Sequence, residues 1–213
     1  NYDRVMERLL SAAASLRVGN PEVPGIMVGP VIDEAAYRRI LDYIEIGKRE
    51  ATLAYQATEI PPEGYFIPPT IFTEVKPNMR IAREEIFGPV LSIMKVRDLD
   101  EAFAVANGTD YALTAGFFSR SPANIDRAKA EIEAGNVYIN RSCTGAVVGR
   151  HPFGGFKMSG GGTKAGGADY LLQFLLPRVV TENVTRHGFA PEETPEYRDE
   201  FVWPKPEPRK VGT

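Results

Sequence analysis

Cysteine and histidine are scarce in this chain. It has one cysteine, Cys143, and two histidines, His151 and His187, among 213 residues. A single thiol closes no internal disulfide, so a reducing compartment, the cytoplasm, is the expected setting. Two separated histidines and one cysteine make a poor metal set, and no metal is expected. No run reaches the ~18 to 20 apolar residues that a transmembrane helix needs. Charge of neither sign dominates: 25 Lys and Arg against 28 Asp and Glu give a formal net charge of -3. That argues against a general polyanion binder and leaves room for a local phosphate site; no specific nucleic-acid partner is expected. The chain also lacks an initial Met and a signal-type apolar core. It opens at Asn1 inside a helix-like pattern, as though cut from a longer polypeptide.

Apolar residues make up 43% and charged residues 25%, enough to bury a real core. Tyr2 to Leu16 reads as an amphipathic helix with a stripe of Val5, Leu9, Leu10, Ala13 and Leu16. Gly19 to Pro30 reads as a loop. Asp33 is placed to cap a helix in which Tyr37, Ile40, Leu41 and Ile44 share one face. Thr52 to Gln56 and Ile71 to Val75 read as strands around the loop "EIPPEGYFIPP". Beyond them the pattern alternates: strand Val90 to Val96, helix Asp98 to Ala106, strand Leu113 to Ser119. A helix follows that is capped by Ser121, with Pro122 first and Gly135 after its end, and then the strand Asn136 to Asn140. Strand–helix–strand–helix–strand predicts an α/β fold, a parallel sheet with crossover helices. Ala168 to Phe174 is expected to be helical and Arg178 to Val184 a strand. From Pro191 the chain is expected to be an extended, proline- and charge-rich tail.

What the sequence has in excess is glycine, in one place. "TGAVVGRHPFGGFKMSGGGTKAGG", Thr144 to Gly167, holds nine of the twenty glycines. A cluster of that kind serves backbone geometry or close approach to a ligand. Its "GGGTKA" follows no strand, so it is a poor dinucleotide fingerprint. No Gly-Lys is followed by Ser or Thr, so there is no phosphate loop. A mobile surface loop is not expected either, because Phe153, Phe156 and Met158 would expose too much apolar surface.

"REEIFGPVLSI", Arg83 to Ile93, is the second unusual stretch. Glu84 and Glu85 read either as a solvated pair at a strand entrance or as the source of one carboxylate that accepts a ligand's hydroxyl pair, with Phe87 as a flat apolar surface. Cys143 reads as a nucleophile or as inert packing. His151 and His187 have no assigned role.

Together these segments resemble the aldehyde dehydrogenase superfamily. "REEIFGPVLSI" is similar to its Glu-Glu-x-Phe-Gly-Pro signature. "AGNVYIN" and "PFGGFKMSG" are similar to its Gly-x-x-x-x-Asn and Pro-Phe-Gly-Gly-x-Lys-x-Ser-Gly signatures. "TGAVVGRHPFGGFKMSG" with "KAGGADYLLQF" resembles the L-glutamate γ-semialdehyde dehydrogenases. "VVTENVTRHGFAPE" and the tail resemble those fused to a proline dehydrogenase module.

The resemblance implies NAD as cofactor and a reaction by thiolate attack, hydride transfer and thioester hydrolysis. It implies that the nucleophile, the general base and the nucleotide domain precede Asn1, leaving no catalytic residue here. Gly145 and Ala146 would anchor the substrate carboxylate, and Phe153 would pack on its methylenes. Glu85 would accept the nicotinamide-ribose hydroxyls, and Phe87 would border the nicotinamide. Cys143 would only pack. Residues 1–176 would be part of the catalytic domain. Residues 177–190 would be an oligomerisation-arm strand that builds a homo-oligomer, and 191–213 the tail.

Overall fold

The computed structural model describes residues 1–143 and 146–183. The chain divides into two units, Asn1–Gln173 and Phe174–Thr213.

The first unit opens with α1 (Tyr2–Ala14), two residues shorter than its pattern predicts. Met6 and Ala13 are its buried residues, while Val5 is exposed. The buried stripe therefore runs through Met6, Leu9, Leu10 and Ala13, at i, i+3, i+4 and i+7. Helix α2 (Glu34–Glu50) begins as expected, with the Asp33 carboxylate accepting the Ala36 N–H at 2.7 Å. Its Ile40 and Ile44 are fully buried against Ile67, Phe72, Val75, Ile81 and Ile86, which form the core. Burying each such side chain contributes roughly 1.5 to 3 kcal/mol.

Strand β1 (Thr52–Gln56) coincides with its expected limits. It pairs antiparallel with β2 (Thr70–Thr73), with an irregularity between Leu53 and Tyr55. The short helix α3 (Arg80–Arg83) follows. Strand β3 (Val90–Ser92) then joins β2 in parallel, giving the sheet order β1-β2-β3. Helix α4 (Leu99–Asn107) is capped by Asp98, whose side chain accepts the Glu101 N–H.

The strand expected over Leu113 to Ser119 forms as the shorter β5 (Thr114–Phe117), and a further strand not expected from the pattern, β4 (Tyr111–Ala112), precedes it. They serve different partners. β5 lies parallel to β6 (Asn136–Ile139), with α5 (Pro122–Glu131) as the crossover. β4 lies antiparallel to β7 (Phe156–Lys157), inside the glycine-rich stretch. The mixed α/β content and the β5–α5–β6 crossover agree with the sequence. A single parallel sheet does not form among the described residues. β3 bonds to β2 alone, so the parallel pairs β2–β3 and β5–β6 stand in separate sheets.

Residues 170–174 form a 3-10 helix, Tyr170–Phe174, where an ordinary helix over Ala168 to Phe174 is expected. In the second unit, residues 174–183 are described. The strand expected from Arg178 is not formed through Asn183, and Val184 lies outside the described residues. A strand exists only by pairing, and no strand among the described residues pairs with this segment. The remainder of the arm and the whole tail, 191–213, also lie outside the described residues. Among the described residues, no helix is long and apolar enough to cross a membrane.

Candidate functional site

One face of α2 fixes the segment from Glu84 to Gly88. The Tyr43 hydroxyl donates to Glu84 Oε2 at 2.6 Å. Arg80, from α3, closes on the same carboxylate with two bonds, Nε to Oε1 at 3.0 Å and Nη2 to Oε2 at 2.8 Å. The Arg80 hydrogen bonds, and after them the Tyr43 bond, pull the Glu84 carboxyl down to about 2. Arg39 Nη1 donates to the Ile86 carbonyl at 3.1 Å, and Ile86 is buried. Gly88 sits so close to Ile40 that an added Cβ would come within 2.8 Å of it.

Two residues between these fixings are left to face outward. Glu85 is exposed, and no hydrogen bond or ion pair engages its carboxylate among the described residues. Phe87 is 79% exposed and holds φ +56, a left-handed backbone that bulky residues seldom adopt. Such a conformation costs of order 1 to 3 kcal/mol and persists only where its surroundings impose it. Here the anchored neighbours Ile86 and Gly88 impose it. The two glutamates are not an equivalent solvated pair: Glu84 is an ion-pair partner of Arg80, and Glu85 is exposed without a hydrogen bond or ion pair among the described residues.

The glycine-rich stretch is tethered, and by its backbone rather than by its aromatics. Phe153 and Ala165 exchange two backbone bonds, each 2.9 Å. Val147 and His151 bridge in the same manner, Gly149 donates to the Gly166 carbonyl, and Met158 donates to the Asp110 carbonyl. The expectation that Phe153, Phe156 and Met158 are covered is only partly met. Phe153 is half-buried, whereas Phe156 is 50% and Met158 74% exposed in this chain. Backbone pairing and the polar side chains of Asn136 and Lys164 hold the loop, not burial of Phe156 and Met158.

The two lysines now have places. Lys157 Nζ donates to the carbonyls of Asn107 (2.6 Å) and Thr109 (3.3 Å) and pairs with Glu133 at 3.2 Å. Lys164 Nζ donates to the Gly154 carbonyl at 2.6 Å and lies 5.1 Å from the Phe156 ring centroid.

The sequence reading missed the part that Gly135 and Asn136 play. Gly135 lies after the end of α5, as expected, but not at its cap, since α5 ends at Glu131. Its tighter constraint is the loop: an added Cβ would collide with the Gly154 carbonyl and lie 2.6 Å from Gly155 Cα. Asn136 Nδ2 donates to the Pro152 carbonyl at 3.0 Å, and its Oδ1 accepts the Gly154 N–H at 3.2 Å. The only local signal was their adjacency to a strand that enters the same region.

Ala146 is exposed, and Gly145 lies outside the described residues, so the geometry of the expected carboxylate anchor rests on neither. Cys143 is exposed and its Sγ lies against Gly116 of β5, where an added Cβ would come within 2.5 Å. That position suits packing. His151 takes part only in the bridge to Val147 among the contacts described above, and His187 lies outside the described residues. Among the described residues no cluster of His, Cys, Asp and Glu suits a metal ion.

An open cleft of about 230 Å³ is lined by Glu85 and also by Arg83 and Glu84, with Thr109, Tyr111 and Ser159 from farther along the chain. Ser159 belongs to the glycine-rich loop and is held there by the Ala112 N–H, which donates to its Oγ at 3.0 Å. The loop that borders the cleft through Ser159 also carries Phe153. Glu85, Phe87 and Phe153 make no side-chain hydrogen bond, ion pair or ring contact with one another among the described residues.

Known proteins match this chain over most of its length. The profile of the Aldehyde dehydrogenase family matches residues 1–180. The chain is 48% identical over 181 residues to 1-pyrroline-5-carboxylate dehydrogenase of Anoxybacillus flavithermus and to 1-pyrroline-5-carboxylate dehydrogenase 2 of Bacillus subtilis; each match covers 85% of this chain and 35% of the relative. Among solved structures, proline utilization A from Bdellovibrio bacteriovorus, inactivated by N-propargylglycine, is 51% identical with a TM-score of 0.83; the match covers 90% of this chain and 20% of that one. A 1-pyrroline-5-carboxylate dehydrogenase from Thermus with bound NAD is 50% identical with a TM-score of 0.77, over 81% of this chain and 33% of that one. The chain therefore spans about a third of the length of the curated relatives it matches.

Proposed function

Starting from a chain that belongs to the aldehyde dehydrogenase family, we propose that it is the C-terminal portion of an NAD-dependent dehydrogenase that oxidises L-glutamate γ-semialdehyde to L-glutamate. The names of its relatives support the substrate. The observation that carries the reading is the division of labour between adjacent carboxylates. Glu84 is consumed by Arg80 and Tyr43, while Glu85 stands exposed and unengaged at a cleft, next to an aromatic held outward by a left-handed backbone.

That pair fits one end of NAD. The Glu85 side chain offers carboxylate oxygens, acceptors suited to the paired hydroxyls of a ribose. Phe87 offers a flat apolar face for the nicotinamide. NAD, when bound, supplies the hydride acceptor. The residues of this chain hold and orient; the nucleophile and the general base belong to the remainder of the enzyme. Gly145 and Ala146 present backbone N–H groups to the substrate carboxylate, as glycine-permitted main chain can. Phe153 lies along the methylene chain. Cys143 packs against β5. Residues 177–190 supply a strand to a homo-oligomer, and the likeness to proline utilization A extends the reading to a fused proline dehydrogenase module. In the domain scheme, residues 1–176 are the catalytic-domain portion and 191–213 a tail.

The test is NADH formation, followed by absorbance, with the full-length protein and with this chain alone. Glutamate γ-semialdehyde should be oxidised by the full-length protein with a higher kcat/KM than propanal, and the chain alone should give no turnover. Turnover by the chain alone that thiol blocking abolishes would contradict the reading, as would a full-length enzyme that prefers propanal.

A further inference from the structure

Asn136 opens β6 and is half-buried. Its backbone N–H is used by the sheet, donating to the Leu113 carbonyl at 3.0 Å. Its carboxamide is used by the loop, donating to the Pro152 carbonyl at 3.0 Å and accepting from the Gly154 N–H at 3.2 Å. These two bonds grip the peptide groups on either side of Phe153. Asn is suited to this because its side chain carries a donor and an acceptor side by side, the complement of a main-chain carbonyl and N–H. Across from the clamp, the Phe153 N–H and carbonyl are both taken by Ala165. The Phe153 ring is only half-buried and makes no ring contact with another aromatic among the described residues. The peptide groups that carry this ring are held from the sheet by Asn136.

We propose that Asn136 is a positioning residue for substrate selection: its carboxamide aims the Phe153 ring and thereby favours aldehydes with a carbon chain long enough to lie along it. This deepens the proposed function and rests on the reading of Phe153 given there. Without the clamp, the backbone next to Gly154 and Gly155 gains freedom, and a substrate must order Phe153 on binding. Ordering one side chain typically costs about 0.5 to 1.5 kcal/mol, which corresponds to a preference lowered about fivefold.

The experiment is a double-mutant cycle in the full-length enzyme containing this chain. The quantity read is the ratio of kcat/KM for glutamate γ-semialdehyde to kcat/KM for propanal, measured for the parent, Asn136→Ala, Phe153→Ala and the double variant, with melting temperatures alongside. Asn136→Ala should lower the ratio about fivefold and Phe153→Ala at least as much. In the Phe153→Ala background, Asn136→Ala should change the ratio less than twofold, because its effect passes through a ring that is no longer there. Asn136→Asp keeps the acceptor for Gly154 but loses the donor to Pro152, so it should fall between the parent and Asn136→Ala. If Asn136→Ala does not fold, Asn136→Asp takes its place in the cycle under the same criteria. Losses that multiply independently overturn the proposal. So does a lowered melting temperature with an unchanged ratio, which makes Asn136 a loop staple only. A ratio unaffected by Phe153→Ala overturns the reading of Phe153 and this inference with it.

Discussion

Tyr43 and Glu84 meet across 41 residues of sequence, the phenol donating to the carboxylate at 2.6 Å, while the adjacent Glu85 makes no hydrogen bond or ion pair among the described residues. The same helix supplies Arg39 to the Ile86 carbonyl and Ile40 to the underside of Gly88. One face of α2 thus holds every other residue of the Glu84–Gly88 segment and turns the ones between them outward.

The Glu84 network gives a pH dependence of defined sign. Its carboxyl is lowered from 4.5 to about 2 in the folded chain. A carboxyl with a depressed folded value contributes stability that is fully present above 4.5 and is lost as pH falls toward 2. Glu84 is exposed, so solvent screening keeps the contribution modest. Urea unfolding of the parent and of Glu84→Gln between pH 6 and pH 2.5 should show the parent's advantage shrinking over the acidic part of that range. An advantage that stays constant down to pH 2.5 would contradict the network.

Gly135 has no room for a methyl group, because Gly154 and Gly155 press against it. Gly135→Ala should cost about 1 to 3 kcal/mol, the usual range for overpacking a tight contact. It should also speed limited proteolysis within residues 152–160, since Asn136 can no longer grip a displaced Pro152 and Gly154. Unchanged stability and proteolysis would mean that the loop does not lie on β6 as described.

Phe87 separates stability from function. Its exposed ring contributes little burial, and its backbone is strained. Phe87→Gly should leave stability within about 1 kcal/mol of the parent, because relief of the left-handed backbone offsets the unfolded-state entropy that glycine adds. Phe87→Val should be less stable than Phe87→Gly, since a β-branched residue is poorly suited to φ +56. In the full-length enzyme both should lower kcat/KM for NAD. A Phe87→Gly protein several kcal/mol less stable than the parent would show that the ring packs rather than projects.

Local patterns carried much of this fold. The α2 cap at Asp33, the limits of β1 and the Ser121–Pro122 start of α5 depend on neighbouring residues, and each forms where its signals place it. Features that depend on distant partners were not legible. Leu113 separates two strands because Tyr111–Ala112 pairs with Phe156–Lys157 while Thr114–Phe117 pairs with Asn136–Ile139. Nothing near Leu113 signals that division. The shift of the α1 stripe from Val5 to Met6 reflects which side of the helix the sheet covers. Residues 178–183 include β-branched residues but pair with no strand among the described residues, and propensity without a partner does not make a ladder. At the candidate site, residue chemistry left the pair Glu84–Glu85 open and the family resemblance pointed to Glu85; what was not legible is that Tyr43 and Arg80 engage Glu84. The Gly135–Asn136 clamp depends on a loop that returns to β6 from farther along the chain, so its role appears only in three dimensions.

The central claim is that Glu85, and not Glu84, meets the cofactor. Its most direct test is steady-state kinetics with NAD as the varied substrate, on the full-length enzyme, for Glu85→Gln and Glu84→Gln. Loss of a hydrogen bond to a charged group costs roughly 1.5 to 3 kcal/mol, so Glu85→Gln should lower kcat/KM for NAD about ten- to a hundredfold. Glu84→Gln should lower it much less, with its effect seen mainly in the acid-dependent part of stability. NAD kinetics unchanged in Glu85→Gln, or an equal loss in Glu84→Gln, would contradict the assignment.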